Sequence, residues 1–186
     1  MSLKPTSTTG QISGIVRDQT GIPVPAATVV VSRTFPITGV AGPRSFTTVT
    51  DSHGCYSVPN LPVGSYKVCP SAAGAQMLDP CLWTVKHPFW NVQGGQSATV
   101  NVALDKGQYV YVRVDDPGAK LPAAETATNG APAVRVFVTG THGTPLQLDE
   151  ASRDPQGRNY WVLVPKGQDI PLQFDPGNLT VQRSDG

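Results

Sequence analysis

The sequence has 186 residues, which is enough for one large domain or two small ones. Its 14 basic and 13 acidic residues leave a formal charge of +1 with no basic block, so the charge pattern excludes a nucleic-acid-binding protein. No apolar run approaches the ~20 residues of a membrane span, and the 19 Gly and 18 Pro are typical of short strands joined by tight turns.

The first half of the chain reads as a series of short strands. Residues 1–9 are polar and rich in Ser and Thr, and we predict a flexible tail there. In the last run of this half, four apolar residues between Ala98 and Leu104 alternate with polar ones, which predicts a strand with one buried side. The predicted strands lie within residues 10–17, 27–33, 45–51, 55–58, 65–69 and 97–104.

Three segments of the form Asp-x-x-Gly, at residues 18–21, 51–54 and 154–157, predict type I turns. In such turns the Asp side chain accepts hydrogen bonds from nearby backbone N–H groups. His53 lies at the tip of the second turn, so we interpret it as an exposed residue and not as a ligand.

A second set of strands is predicted after residue 107, within residues 108–114, 133–140, 160–165, 170–174 and 179–183. The loop at residues 115–132 is long for a compact domain unless it is mobile or functional. We place a domain boundary at residues 105–107, which gives one domain over residues 10–105 and another over 106–186. The early end of the second half would fit a sandwich that lacks one strand.

Two segments, "ISGIVRDQTGIPVPAATVVVS" and "FTTVTDSHGCYSVPNLPVGSYKV", resemble the carboxypeptidase regulatory-like domain, which belongs with the prealbumin-like and Cna-B-like sandwiches. One departure is Ala26, where Gly is usual, and we expect it to matter little. The resemblance covers residues 10–104 and implies a β-sandwich that serves exported proteins as a folding, spacer or binding module. The matching residues are Gly14, Val16, Asp18, Gly21, Pro23, Val24, Pro25, Ala27, Val29, Thr50, Asp51, Gly54, Tyr56, Leu61, Pro62, Gly64 and Tyr66.

Three cysteines are too few for a disulfide-built scaffold, but two of them could form one bridge. We favour Cys69 with Cys81, because the loop between them contains Gly74 and Pro80 and can fold back. The alternative pair is Cys55 with Cys69. A bridge implies an oxidising compartment, so we predict an extracellular, periplasmic or cell-surface protein whose export signal is missing from this sequence.

The sequence shows no pattern typical of a catalytic centre. His53, His87 and His142 are scattered, and none has the spacing of a zinc peptidase. Cys55 lies near His53, but a turn separates them and no orienting Asn or Asp is evident. We therefore predict that the chain is not an enzyme and holds no cofactor and no metal.

One aromatic cluster, Trp83, Phe89 and Trp90, could stack on a sugar ring or a peptide side chain if it were exposed. We favour a packing role, because large aromatic side chains usually bury most of their area. The sequence thus predicts an all-β protein of two β-sandwich domains in tandem, the first prealbumin-like. We interpret it as a structural or accessory module whose partners are other domains of its parent or cell-surface proteins. The alternative is a carbohydrate- or peptide-binding module that uses this cluster or the loop at residues 115–132.

Overall fold

The fold is all-β, as predicted. In the described part of the chain, a single-turn helix and one 3-10 turn accompany fourteen strands, and no helix there is long and apolar enough to cross a bilayer. The chain divides into two compact units, Met1–Gly107 and Gln108–Gly186. The predicted strand at residues 179–183, His87 and most of the 115–132 loop lie outside the described residues. The computed structural model describes residues 8–34, 44–84, 89–118, 135–154 and 156–176.

The first unit is a sandwich of two sheets. Its elements are β1 (Thr9–Asp18), β2 (Thr28–Arg33), β3 (Ser45–Val49), β4 (Cys55–Pro62), β5 (Gly64–Ser71), α1 (Pro80–Trp83), β6 (Trp90–Val92), β7 (Ser97–Thr99) and β8 (Val102–Leu104). One sheet has the order β4-β1-β7, with β8 also paired with β1, and the other has the order β3-β2-β5-β6. The six strands predicted for this half are confirmed, and β6 and α1 were not predicted.

Alternating side chains from the two sheets form the core of the first unit. On β1, Ile12 and Val16 are fully buried, as the alternation of an apolar face requires. Leu61 and Tyr66, from the two sides of the β4–β5 connection, are also fully buried. The Tyr66 hydroxyl donates a hydrogen bond of 2.7 Å to the carbonyl oxygen of Pro62, so its polar atom is satisfied.

The strand predicted at residues 97–104 is divided into β7 and β8, and both parts run parallel to β1. Val100 and Leu104 are buried, which confirms the predicted apolar side. At the break, the Asn101 side-chain oxygen accepts a hydrogen bond of 3.0 Å from the Ile15 backbone N–H. A side-chain amide thus takes the place of a backbone acceptor, and the edge of β1 stays hydrogen-bonded.

The second unit contains two three-stranded sheets. Its strands are β9 (Gly107–Asp115), β10 (Arg135–Thr139), β11 (Pro145–Gln147), β12 (Asp149–Asp154), β13 (Gly157–Pro165) and β14 (Leu172–Asp175). The sheet orders are β11-β10-β14 and β12-β13-β9. Val136 and Val138 of one sheet and Tyr160, Val162 and Val164 of the other are buried. The sequence predicted β9, β10, β13 and β14 but missed β11 and β12.

Ala26 adopts the left-handed backbone conformation, with φ 55°. A residue with a Cβ loses roughly 1–2 kcal/mol there, whereas Gly adopts this conformation without strain. This backbone conformation argues against the expectation that Ala in place of the usual Gly matters little.

We expect Ala26→Gly to raise the free energy of unfolding by about 0.5–1 kcal/mol, because the relieved strain exceeds the added flexibility of the unfolded chain. Urea denaturation measures this change. Ala103→Gly, at an exposed position in β8, is the matched control and should lower the stability by roughly 0.5–1 kcal/mol. A loss of stability in Ala26→Gly would contradict the strain at this position.

Candidate functional site

The two halves of the family-like pattern meet at Thr50, which is buried. Its hydroxyl accepts a hydrogen bond from the Ala27 N–H and donates one to the Val24 carbonyl oxygen, both 2.8 Å long. Its backbone N–H and C=O bond to Ala27 and Ala26. Thr50 therefore fastens the Pro-rich segment before β2 to the end of β3, and its hydroxyl has a structural role.

Asp51 organises the turn that carries His53. One carboxylate oxygen accepts hydrogen bonds from the backbone N–H groups of Cys55 and His53, at 2.9 and 2.8 Å. These bonds hold the pKa of Asp51 below its ordinary value. Gly54 closes the turn with φ 73°, and a Cβ there would lie 2.5 Å from the Val16 carbonyl oxygen. The turn predicted at residues 51–54 is present.

The other two Asp-Gly turns use the same chemistry. Asp18 accepts a hydrogen bond of 2.7 Å from the Thr20 hydroxyl, and this bond is the main cause of its lowered pKa. Asp154 accepts one of 2.8 Å from the Gln156 N–H, although its pKa is lowered chiefly by hydrogen bonds from Arg113. Each of the three aspartates thus accepts a hydrogen bond from a group within its own turn.

The histidine and cysteine near this turn do not form a reactive pair. His53 is exposed, and its Nδ1 lies 3.3 Å from the Ser52 hydroxyl. The Cys55 sulfur is directed at the carbonyl oxygen of His53, at 4.0 Å, and not at the imidazole ring. A cysteine nucleophile needs an adjacent base to become a thiolate. His142 is exposed on the turn between β10 and β11, in the other unit.

A disulfide joins Cys69 of β5 to Cys81 of α1, with the Cα atoms 5.5 Å apart, and Cys55 is the free cysteine. The preferred pairing is therefore confirmed over the alternative. Asp79 caps the helix by accepting a hydrogen bond of 2.8 Å from the Cys81 N–H, and Pro80 occupies its first turn. The bridge holds α1 against β5, and the cap fixes the first turn of the helix.

Cys69, Asp79 and Cys81 are also the one group of described residues with ligand atoms close enough to hold a metal ion, within 4.8 Å of one another. The two sulfurs are bonded to each other, so neither is available as the thiolate that a soft metal requires. Burial raises the pKa of Asp79, which weakens it further as an anionic ligand. The arrangement fits a structural bridge better than a metal centre.

The predicted aromatic cluster occupies three different settings. Trp83 is half-buried in α1, and Trp90 packs against the core of the first unit. Phe89 is 51% exposed, and the Lys67 ammonium nitrogen lies 5.5 Å from its ring centre. Because one ring is exposed and two are partly covered, ligand binding by this cluster remains a prediction.

A family model for the carboxypeptidase regulatory-like domain matches residues 11–115. The chain belongs to the carboxypeptidase regulatory-like domain family. The matched residues include Thr50, the disulfide and two of the three Asp-Gly turns, and they extend into β9. No curated protein matches the chain.

Several solved structures resemble the chain at low sequence identity. The TIE protein of Bacillus anthracis is 13% identical, with 90% of this chain and 30% of that one covered and a TM-score of 0.41. A streptococcal ancillary pilin is 17% identical, with 91% and 51% covered and a TM-score of 0.41. Chlorocatechol 1,2-dioxygenase from Pseudomonas putida is 12% identical, with 55% and 62% covered and a TM-score of 0.39. The chain spans about a third of the TIE protein and half of the pilin.

We expect replacement of both Cys69 and Cys81 by Ser to lower the free energy of unfolding by about 2–3 kcal/mol, because the unfolded chain gains the entropy of an open loop. Urea denaturation of non-reduced protein measures the difference. Cys55→Ser is the control and should change the stability by less than about 0.5 kcal/mol. Thiol titration that finds three free thiols in the non-reduced protein would contradict the bridge.

We expect Asp51→Asn to reduce the sensitivity of the fold to acid. The folded pKa of Asp51 lies below its ordinary value of 3.8, so the carboxylate stabilises the fold above about pH 4 and loses this effect as the pH falls through the folded pKa. Thermal unfolding between about pH 6 and pH 3 should therefore show a smaller decrease of Tm in the variant. Asp169→Asn, at an exposed position outside the three turns, is the control. If Tm falls with pH as steeply in Asp51→Asn as in the wild type, the effect is refuted.

Proposed function

We propose that the chain is a non-catalytic structural or accessory module of a larger exported or cell-surface protein. The proposal rests on the hydrogen bonds that the polar residues of the family pattern make. Thr50, Asp51 and Asp18 all bond to nearby backbone groups and hold turns in place. Side chains that are committed to backbone hydrogen bonds are poorly placed to perform acid–base chemistry.

The disulfide supports an extracellular, periplasmic or cell-surface location, because such bonds persist in oxidising compartments. We also propose that residues 10–105 and 106–186 are separate domains, and that their partners are other domains of the parent or cell-surface proteins. The contact of the Cys55 sulfur with the His53 carbonyl oxygen, and of the His53 ring with Ser52, supports a module without catalysis.

Fractionation of cells that make the natural protein tests this proposal. An antibody against this chain should detect a polypeptide larger than the chain's 19.6 kDa in the secreted or envelope fraction. Thiol alkylation without reductant should label Cys55 and leave Cys69 and Cys81 unlabelled. A cytoplasmic protein of the same mass as the chain, with all three cysteines labelled, would refute an exported module of a larger protein.

A second candidate function, carbohydrate or peptide binding, is supported in the first unit by the exposure of Phe89 beside Lys67. Phe89→Ala should then abolish binding in a glycan-array or peptide-array screen. Trp90→Phe, which keeps an aromatic ring against the core, is the control for packing. Unchanged array binding in Phe89→Ala would remove this candidate.

A further inference from the structure

The second unit carries an aromatic row that the sequence did not single out, formed by Tyr111, Tyr109 and Trp161. The ring centres of Tyr111 and Tyr109 are 6.4 Å apart, and those of Tyr109 and Trp161 are 5.1 Å apart. Tyr111 is 68% exposed, the largest exposure among the exposed large hydrophobic residues of the described chain. The row crosses from β9 to β13, which are neighbours in one sheet.

The aromatic row lies on the outer face of this sheet. Tyr160, Val162 and Val164 of β13 are buried, so the alternation of a strand places Trp161 on the opposite face. Tyr109 contacts Trp161, and Tyr111 shares the face of Tyr109. The three rings therefore do not contribute to the buried core of the second unit, and the exposure of Tyr111 needs another explanation.

Polar groups border the aromatic row on the same face. Arg113, two residues beyond Tyr111, donates hydrogen bonds to Asp115 at 2.7 Å and Asp154 at 2.8 Å, and lies 3.5 Å from the Asn159 side-chain oxygen. The Asp115 side chain is 70% exposed and that of Asp154 is 44% exposed. The Asp115 carboxylate can accept further hydrogen bonds, and the group of one Arg and two Asp is net acidic.

We propose that the aromatic row binds a neutral saccharide. The C–H face of a pyranose ring packs against an aromatic ring, and Tyr and Trp offer such area with little loss of side-chain entropy. A hydroxyl at the rim of the sugar would donate to Asp115, whose position is fixed by Arg113.

The chemistry of the border distinguishes a saccharide from other ligands. A phosphate or an acidic polymer would meet two carboxylates and one arginine that is already paired, so the charge disfavours an anion. A proline-rich peptide presents carbonyl acceptors and few N–H donors, whereas the exposed Asp115 carboxylate can bond only to donors. Sugar hydroxyls supply donors, and this favours the saccharide.

Affinity gel electrophoresis of the full chain tests the proposal, with soluble β-glucan, xylan, galactomannan and starch-derived α-glucan as neutral probes. At least one of them should retard the wild-type protein. Tyr111→Ala should weaken that binding about ten-fold or more, as the loss of a central aromatic contact does. Tyr111→Phe keeps the ring and should bind like the wild type. Because Tyr111 is largely exposed, urea denaturation should show both variants folded.

Phe174→Ala is the matched control, since it removes an exposed aromatic ring from the other sheet of the second unit and should leave the binding unchanged. The proposal is overturned if none of the neutral polysaccharides retards the protein, or if Tyr111→Ala binds them as the wild type does. The proposal is also overturned if only acidic polysaccharides retard the protein. It is likewise overturned if Tyr111→Ala weakens binding to a proline-rich peptide and to no polysaccharide. None of these results bears on the proposed role as an accessory module.

Discussion

The first unit depends on the hydrogen bonds that Thr50 makes to a segment 23 residues earlier in the chain. A buried hydroxyl without partners would be destabilising, so its donor and its acceptor must both be satisfied. The bonds to Ala27 and Val24 achieve this and fix the chain just before β2. In the sheet of order β3-β2-β5-β6, β2 pairs with both β3 and β5. The position of this segment therefore fixes where β2 enters that sheet.

The two units differ in where their polar side chains form hydrogen bonds. In the first unit, the side-chain oxygens of the family pattern bond inward to turns and strand ends, and the disulfide holds α1 against β5. In the second unit, Arg113 and its two carboxylate partners remain at the surface beside exposed rings. The described polar side chains of the family pattern thus serve the fold of the first unit, whereas those beside the aromatic row of the second unit face solvent.

The sequence predicted the strands whose side chains alternate between core and solvent, and it failed where backbone pairing alone makes a strand. β12, with the sequence DEASRD, has no apolar face and is a strand only because β13 pairs with it. β6 begins at Trp90, which was assigned to the aromatic cluster and so was not recognised as part of a strand. Asp79 followed by Pro80 is a helix-start signal that could have revealed α1, although four residues are too few for a periodic pattern.

In the sites, too, features set by neighbouring residues were predictable, and features set by contacts between distant segments were not. The Asp-Gly turns were predictable, because the Asp side chain bonds to residues two to four positions away. The cysteine pairing was open between two alternatives until the position of α1 was known. The aromatic row needs Trp161 of β13 beside Tyr109 of β9, a contact between distant segments that no local pattern indicates.

The parallel pairing of β1 with β7 and β8 governs how the first unit responds to tension. The first strand and the last two strands of the unit run side by side in the same direction, so pulling its two chain ends apart slides them past each other. The backbone hydrogen bonds and the Asn101 bond to Ile15 are then loaded together in shear, and cannot open one after another. Such an arrangement resists extension more than one whose hydrogen bonds break singly.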